Sequence, residues 1–102
     1  MVVFATMVSV IPQKRIEFMQ TATDMVDSIP KEKGNISARL YQDVKDEHSL
    51  FILTEWETEE DLDGYVQSDH FKVLRWVVSE MTRSSAVRFS RTEDHQRAAF
   101  EA

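Results

Sequence analysis

The sequence predicts one small α+β domain whose strands and helices follow in the order β-α-β-β-α-β. Four segments alternate between apolar and polar residues, as half-buried strands do. Two others repeat apolar residues at steps of three and four, as amphipathic helices do. The chain has 102 residues, the length of a single domain. This order is typical of ferredoxin-like folds, in which a four-stranded antiparallel sheet carries both helices on one face.

The first part of the chain predicts one strand and one helix. Residues 2–10 alternate and are rich in valine, which is typical of a strand. Pro12 suits the first turn of a helix, because the amide hydrogen that proline lacks has no helical partner there. An apolar stripe then predicts a helix over residues 13–29. Pro30 and Gly34 end it, since proline breaks the backbone ladder and glycine tolerates a left-handed turn.

The middle of the chain predicts a β-hairpin. Residues 35–43 alternate, and residues 50–57 form a denser apolar strand. A short polar turn, Lys45-Asp46-Glu47-His48, separates them. Such a short connection favours antiparallel pairing of the two strands.

A second helix and a last strand complete the predicted domain. Thr58 precedes Glu59, Glu60 and Asp61, and this pattern favours a helix start with a capping side chain and acids at the positive helix end. Gly64 and Ser68 predict that the helix breaks near residue 67 and restarts with Ser68 as its cap. Residues 85–92 alternate again and predict the fourth strand. We therefore expect a domain over residues 1–92 and a C-terminal tail over 93–102.

Composition excludes several classes of function. The net charge is −6 and no basic patch is visible, which argues against a nucleic-acid partner. No apolar run approaches the ~20 residues that a membrane span needs. With no cysteine and three dispersed histidines, the chain predicts no disulfide and no metal site. A cytoplasmic location is the simplest expectation.

The apolar content of the first and third strands predicts a partner. Both strands carry apolar residues on both faces, although the helices cover only one face of the sheet. An exposed apolar sheet face normally implies association. We expect a homodimer that pairs through this sheet face.

The segment 51–74 carries a more specific pattern. An apolar strand ends in Trp56, a short acidic turn follows, and the next helix contains a Ser-x-x-Phe segment from Ser68 to Phe71. This pattern resembles that of the antibiotic biosynthesis monooxygenases, and the order of elements extends the resemblance to nearly the whole chain. The resemblance implies a dimeric α/β barrel with a pocket between the sheet and the helices of each subunit. Several members oxidise small reduced aromatic or quinol-like molecules with O₂, without metal or flavin, so no cofactor is expected.

Three residues are predicted to be catalytic within that pocket. Arg75 would place a cation where it stabilises a phenolate or enolate, the electron-rich form that reacts with O₂. Tyr65 would donate a hydrogen bond to a substrate oxygen. His70 would act as a general base. The structural alternatives are an Arg75 whose charge reaches solvent, a half-buried Tyr65 and an exposed His70.

Three further residues are predicted to bind a small aromatic substrate. Trp56 would form a stacking wall, with Phe71 and Met7 completing the apolar lining. Large aromatic residues are more often buried for packing, and methionines most simply fill core gaps, so a core role stays open for each.

The chain also departs from the family pattern. One haem-degrading branch uses an Asn on the first strand, a Trp on the helix after the third strand and a later His, and these roles fall on Met7, Tyr65 and Arg75. None matches, and a guanidinium cannot coordinate iron, so haem degradation is disfavoured. Many members carry Glu two residues before the strand-ending Trp, where this chain has Thr54.

Three functions remain open from the sequence. The first is a cofactor-independent monooxygenase acting on a small reduced aromatic. The second is a non-catalytic small-molecule-binding or stress-associated dimeric barrel. The third is an isomerase or another pocket enzyme on the same fold.

Overall fold

The computed structural model describes the backbone of residues 1–91 and the side chains of residues 1–85. Its strands are β1 (Val2–Val10), β2 (Asn35–Gln42), β3 (Ser49–Trp56) and β4 (Thr82–Arg91). Its helices are α1 (Arg15–Ser28), α2 (Glu59–Val66) and α3 (Asp69–Met81), with short 3-10 turns at Pro12–Lys14 and Ile29–Lys31 on either side of α1. The predicted order is confirmed, and α2 and α3 are the two segments of the second helix. The predicted tail, 93–102, lies outside the described residues.

The four strands form one antiparallel sheet, as predicted, and their order in that sheet is β2-β3-β1-β4. In the pairing of β1 with β3, Val2 lies opposite Trp56 and Val8 lies opposite Leu50. Because paired residues point to the same side of a sheet, this register brings the even-numbered residues of both strands to one face. The helices cover that face, and the odd-numbered residues form the other, open face.

The core between the helices and the sheet has two parts. The larger part lies between α1, α3 and the sheet, and includes Phe18, Leu50 and Val77. The smaller part lies beneath α2 and holds Trp56, Tyr65, Leu62, Val2 and Ile29. The second part therefore places two aromatic side chains beside the junction of α2 and α3.

Two capping side chains set the corner between α2 and α3. Thr58 Oγ1 accepts the backbone N–H of Asp61 at 3.1 Å, and Ser68 Oγ accepts that of Phe71 at 3.2 Å. Each bond satisfies a helix-start amide that would otherwise lack a partner. Ser68 Oγ also donates to the carbonyl of Tyr65 at 2.6 Å, which ties the end of α2 to the start of α3. The predicted break near residue 67 is confirmed.

Opposite stability effects are expected from alanine at the two glycines. Gly34 has φ +79° and an added Cβ would collide with the Asp61 side chain, so Gly34→Ala is expected to lower the free energy of unfolding by about 2–4 kcal/mol. Gly64 lies in α2 and an added Cβ would meet no atom within 4 Å, so Gly64→Ala is expected to raise it by about 0.5–1 kcal/mol. Urea unfolding of both variants measures this. Equal effects of the two substitutions would contradict the expectation.

No helix within residues 1–91 is both long and apolar enough to cross a bilayer.

Candidate functional site

A cavity of about 470 Å³ lies between α3 and the sheet. It forms because α3 turns one side toward β1 and β4 at helical spacing, with Phe71, Leu74, Arg75 and Val78 facing the same way. The floor of the cavity is buried and consists of Thr6, Leu74 and Val78. Its wall is half-buried and consists of Val66 and Phe71. Its rim is exposed and consists of Arg75, Ser79 and Ser85.

The cavity combines an apolar floor with a polar rim. Among the lining residues within 1–85, Arg75 alone carries a charge. The hydroxyls of Thr6, Ser79 and Ser85 supply neutral donors and acceptors. A small planar molecule with a negatively charged oxygen fits this chemistry, because its ring would contact the floor and its oxygen would face the guanidinium.

Phe71 joins the cavity to a buried aromatic cluster. Its ring meets that of Phe4 edge-on at 5.9 Å and that of Tyr65 edge-on at 5.4 Å, measured between ring centroids. Tyr65 in turn stacks on Trp56 at 4.9 Å. Edge-to-face and offset stacked contacts at these distances are favourable for aromatic rings. Phe71, which forms part of the wall of the cavity, is therefore in direct contact with two further rings, and Trp56 adds a third behind Tyr65.

Trp56 is fully buried at the inner end of this cluster, with 0% of its surface exposed. Its indole N–H donates to Thr54 Oγ1 at 2.9 Å, and the Thr54 hydroxyl donates to the carbonyl of Phe4 at 3.2 Å. Thr54 is thus a neutral partner for the indole. A hydroxyl satisfies this donor without placing a carboxylate in the core, where a charge would be costly.

Tyr65, His70 and Ser28 form a chain of hydrogen bonds behind the cavity wall. The Tyr65 hydroxyl lies 2.9 Å from His70 Nδ1, and Ser28 Oγ lies 2.6 Å from His70 Nε2. Burial raises the pKa of the Tyr65 phenol above its usual value, and the nearby Glu32 carboxylate raises it further. The phenol therefore stays protonated at neutral pH and acts as a donor.

The structure brings together five of the six predicted site residues, in two layers. Arg75 and Phe71 line the cavity, whereas Tyr65, His70 and Trp56 lie behind Phe71. The sixth is placed elsewhere: Met7 lies on the open face of the sheet with 45% of its surface exposed, while its neighbour Thr6 reaches the cavity.

Sequence reasoning missed the three hydroxyl residues of the lining and Ser28. Ser79 follows Arg75 by one helical turn, so its spacing was a usable signal. Ser28 gives no such signal, since it is 42 residues from His70 in sequence and looks like any serine at a helix end.

A second cavity of about 480 Å³ lies between α1 and β2. None of the six predicted site residues lines it. Its lining consists of Met19, Thr23, Val26, Asp27, Ala38, Arg39, Leu40, Tyr41, Gln42 and Leu50. We therefore take the cavity at Arg75 as the candidate site.

Similarity to known proteins supports the resemblance seen in the sequence. "Putative monooxygenase YcnE" of Bacillus subtilis (strain 168) is 29% identical over 72 residues, which are 71% of this chain and 76% of that protein. The crystal structure of a conserved protein from Methanosarcina mazei Go1 has a TM-score of 0.84 at 29% identity, covering 90% of this chain and 92% of that one. The structure of Rv0793 from Mycobacterium tuberculosis has a TM-score of 0.82 at 22% identity, covering 91% and 95%.

The family model of the antibiotic biosynthesis monooxygenases matches residues 1–76. That span runs from β1 into α3 and contains Arg75 and Phe71. The chain belongs to the antibiotic biosynthesis monooxygenase family.

Proposed function

We propose that this protein is a cofactor-independent monooxygenase that oxidises a small reduced aromatic, quinol-like substrate with O₂. The observation that carries the proposal is the position of Arg75 on the rim of a cavity with an apolar floor. Family membership and the relative named as a monooxygenase support the same class of reaction.

A quinol supplies every electron that this reaction needs. A hydroxyl proton passes to solvent and leaves a phenolate, whose negative charge spreads onto a ring carbon. That carbon bonds to O₂, and the resulting peroxide anion takes a proton from solvent. The O–O bond then breaks, and the hydroxide and the proton of the same ring carbon leave as water. The overall change is one quinol and one O₂ giving one hydroxyquinone and one water, so one oxygen atom enters the ring. Arg75 would stabilise the phenolate from the rim, because its positive charge lies beside the apolar floor that would hold the ring.

The first test is oxygen uptake by the purified protein with a panel of quinols and hydroxyaromatics in the presence of a metal chelator. With ¹⁸O₂ we expect one labelled atom in the product and the other in water. Protein-independent rates are the control. Tight binding of a panel member without oxygen uptake would instead support the second candidate, a small-molecule-binding barrel. That candidate is favoured by the neutral Thr54, which stands where the family resemblance implies a Glu.

We also propose that two copies of the chain pair through the open face of the sheet. Tyr41 and Phe51 stack there at 4.9 Å, and Phe51 pairs with Met7 across β1 and β3. Leu53 pairs with Ala5 on the same face. A second copy would cover this apolar surface.

Because the chain has no cysteine, nothing in it requires an oxidising compartment, and we place the protein in the cytoplasm.

Charge on that face is expected to separate the dimer. Phe51→Asp places a carboxylate among apolar side chains of the proposed interface, so sedimentation should shift from dimer to monomer at micromolar concentration. Val44→Asp is the matched control, because Val44 is 98% exposed outside the strands and should leave the dimer unchanged. A wild-type protein that sediments as a monomer, or equal behaviour of both variants, would contradict the proposed interface.

A further inference from the structure

The Ser28–His70–Tyr65 chain joins three helices at one point. Ser28 is the last residue of α1, His70 lies in the first turn of α3, and Tyr65 lies in α2. Both imidazole nitrogens are within 2.9 Å of a hydroxyl oxygen. His70 is thus held on both sides, and neither Ser28 nor Tyr65 is among the residues that line the Arg75 cavity.

One arrangement of protons satisfies every group in this chain. The Ser28 hydroxyl is 2.9 Å from the carbonyl of Met25 and donates to it. Ser28 Oγ then accepts from the N–H at His70 Nε2. This leaves Nδ1 as an acceptor for the Tyr65 hydroxyl, which is protonated. The neutral imidazole with its proton on Nε2 is the tautomer that fits.

The chain ends on the wall of the cavity. The Tyr65 ring meets Phe71 edge-on at 5.4 Å, and Phe71 lines the cavity. Phe71 also directly follows His70 in α3. Both rings of the contact between Tyr65 and Phe71 therefore lie at the junction of α2 and α3. A rotation of the Tyr65 ring would therefore remove the support behind Phe71.

We propose that His70 is a positioning residue: Ser28 sets the tautomer that leaves Nδ1 as an acceptor, this acceptor fixes Tyr65, and Tyr65 fixes Phe71 as the wall of the cavity. His70 does not exchange a proton with the substrate. The activity readout of this inference rests on the proposed monooxygenase function, whereas its structural readouts do not.

Two substitutions of His70 separate the two hydrogen bonds. Asparagine places a carboxamide oxygen near the position of Nδ1, so His70→Asn keeps an acceptor for Tyr65. Glutamine places an amide nitrogen near the position of Nε2, so His70→Gln keeps a donor for Ser28 and leaves the Tyr65 hydroxyl without its acceptor. Neither side chain titrates.

The first measurement is NMR on the ligand-free protein. We expect the ¹⁵N shifts of His70 to show the tautomer protonated at Nε2. The ring signals of Phe71 should stay in place in His70→Asn and move in both His70→Gln and Tyr65→Phe. The inference would be overturned by an imidazole protonated at Nδ1, or by Phe71 ring signals that do not move in His70→Gln and Tyr65→Phe.

The second measurement is quinol oxidation by the same folded variants. Loss of one neutral hydrogen bond that positions the wall should raise KM about five- to tenfold in His70→Gln, and His70→Asn should stay within about threefold of the wild type. If His70 were instead a general base, both His70→Asn and His70→Gln would lower kcat, by about 100-fold or more. That result would overturn the positioning role. A wild-type protein without any activity would refute the proposed function alone, because the NMR result stands independently.

Discussion

Replacing Arg75 with glutamine is expected to lower the kcat/KM of quinol oxidation about 100-fold, the usual effect of removing one group that stabilises a developing oxyanion. Arg75 carries the only charge among the described residues that line the cavity, so no neighbour there takes over its role. The pH at which activity rises should also increase, because the bound phenolate loses its counter-charge. Steady-state oxygen uptake between pH 6 and about 9 measures both effects.

Two further variants show whether the loss of activity in Arg75→Gln comes from the position of the charge or from the change in net charge. Arg75→Lys keeps the charge and loses the planar fork of donors, so it should recover part of the lost activity. Arg83→Gln makes the same change of charge at an exposed residue near the start of β4 and should leave kcat/KM unchanged. Equal losses in Arg75→Gln and Arg83→Gln would indicate a general effect of net charge. Full activity of Arg75→Gln would show that Arg75 does not contribute to the reaction.

The fold could be predicted because its signals are local. Thr58 and Ser68 cap α2 and α3 as expected, since a cap depends only on the amides of the next three residues. The strands were found by alternation, which is equally local. The observed bounds of α1 and β4 differ from the predicted bounds by a few residues, because 3-10 turns lie at both ends of α1 and because β4 begins directly after α3.

The orientation of Met7 could not be predicted in the same way. Alternation separates Thr6 from Met7, but it does not say which of two apolar faces meets the helices. That choice is made by pairing with β3, where Thr6 lies opposite the buried Ile52 and Met7 opposite Phe51. The pairing joins residues far apart in sequence, as does the contact between Ser28 and His70. Arg75 and Phe71 could be placed because they share one helical face.

Replacing Trp56 with alanine is expected to lower the free energy of unfolding by about 3–5 kcal/mol. The side chain is fully buried, stacks on Tyr65 and donates to Thr54, so the variant gains a cavity and leaves a buried hydroxyl without its donor. A domain of this size is typically stable by about 5–15 kcal/mol, so the loss is a large share of the total. Urea unfolding at one fixed protein concentration measures it, because association would otherwise change the apparent stability.

Trp76→Ala is the matched control, since the chain has two tryptophans and Trp76 is 61% exposed on α3. Its expected effect is within about 0.5 kcal/mol. Trp56→Phe should fall between the two, because it keeps an aromatic ring against Tyr65 and loses only the indole N–H and some volume. If Trp56→Phe proves as damaging as Trp56→Ala, the hydrogen bond to Thr54 contributes more than the stacking. If Trp56→Ala and Trp76→Ala prove equal, burial of Trp56 adds no more stability than an exposed tryptophan does, and Trp56 does not anchor the cluster behind Phe71.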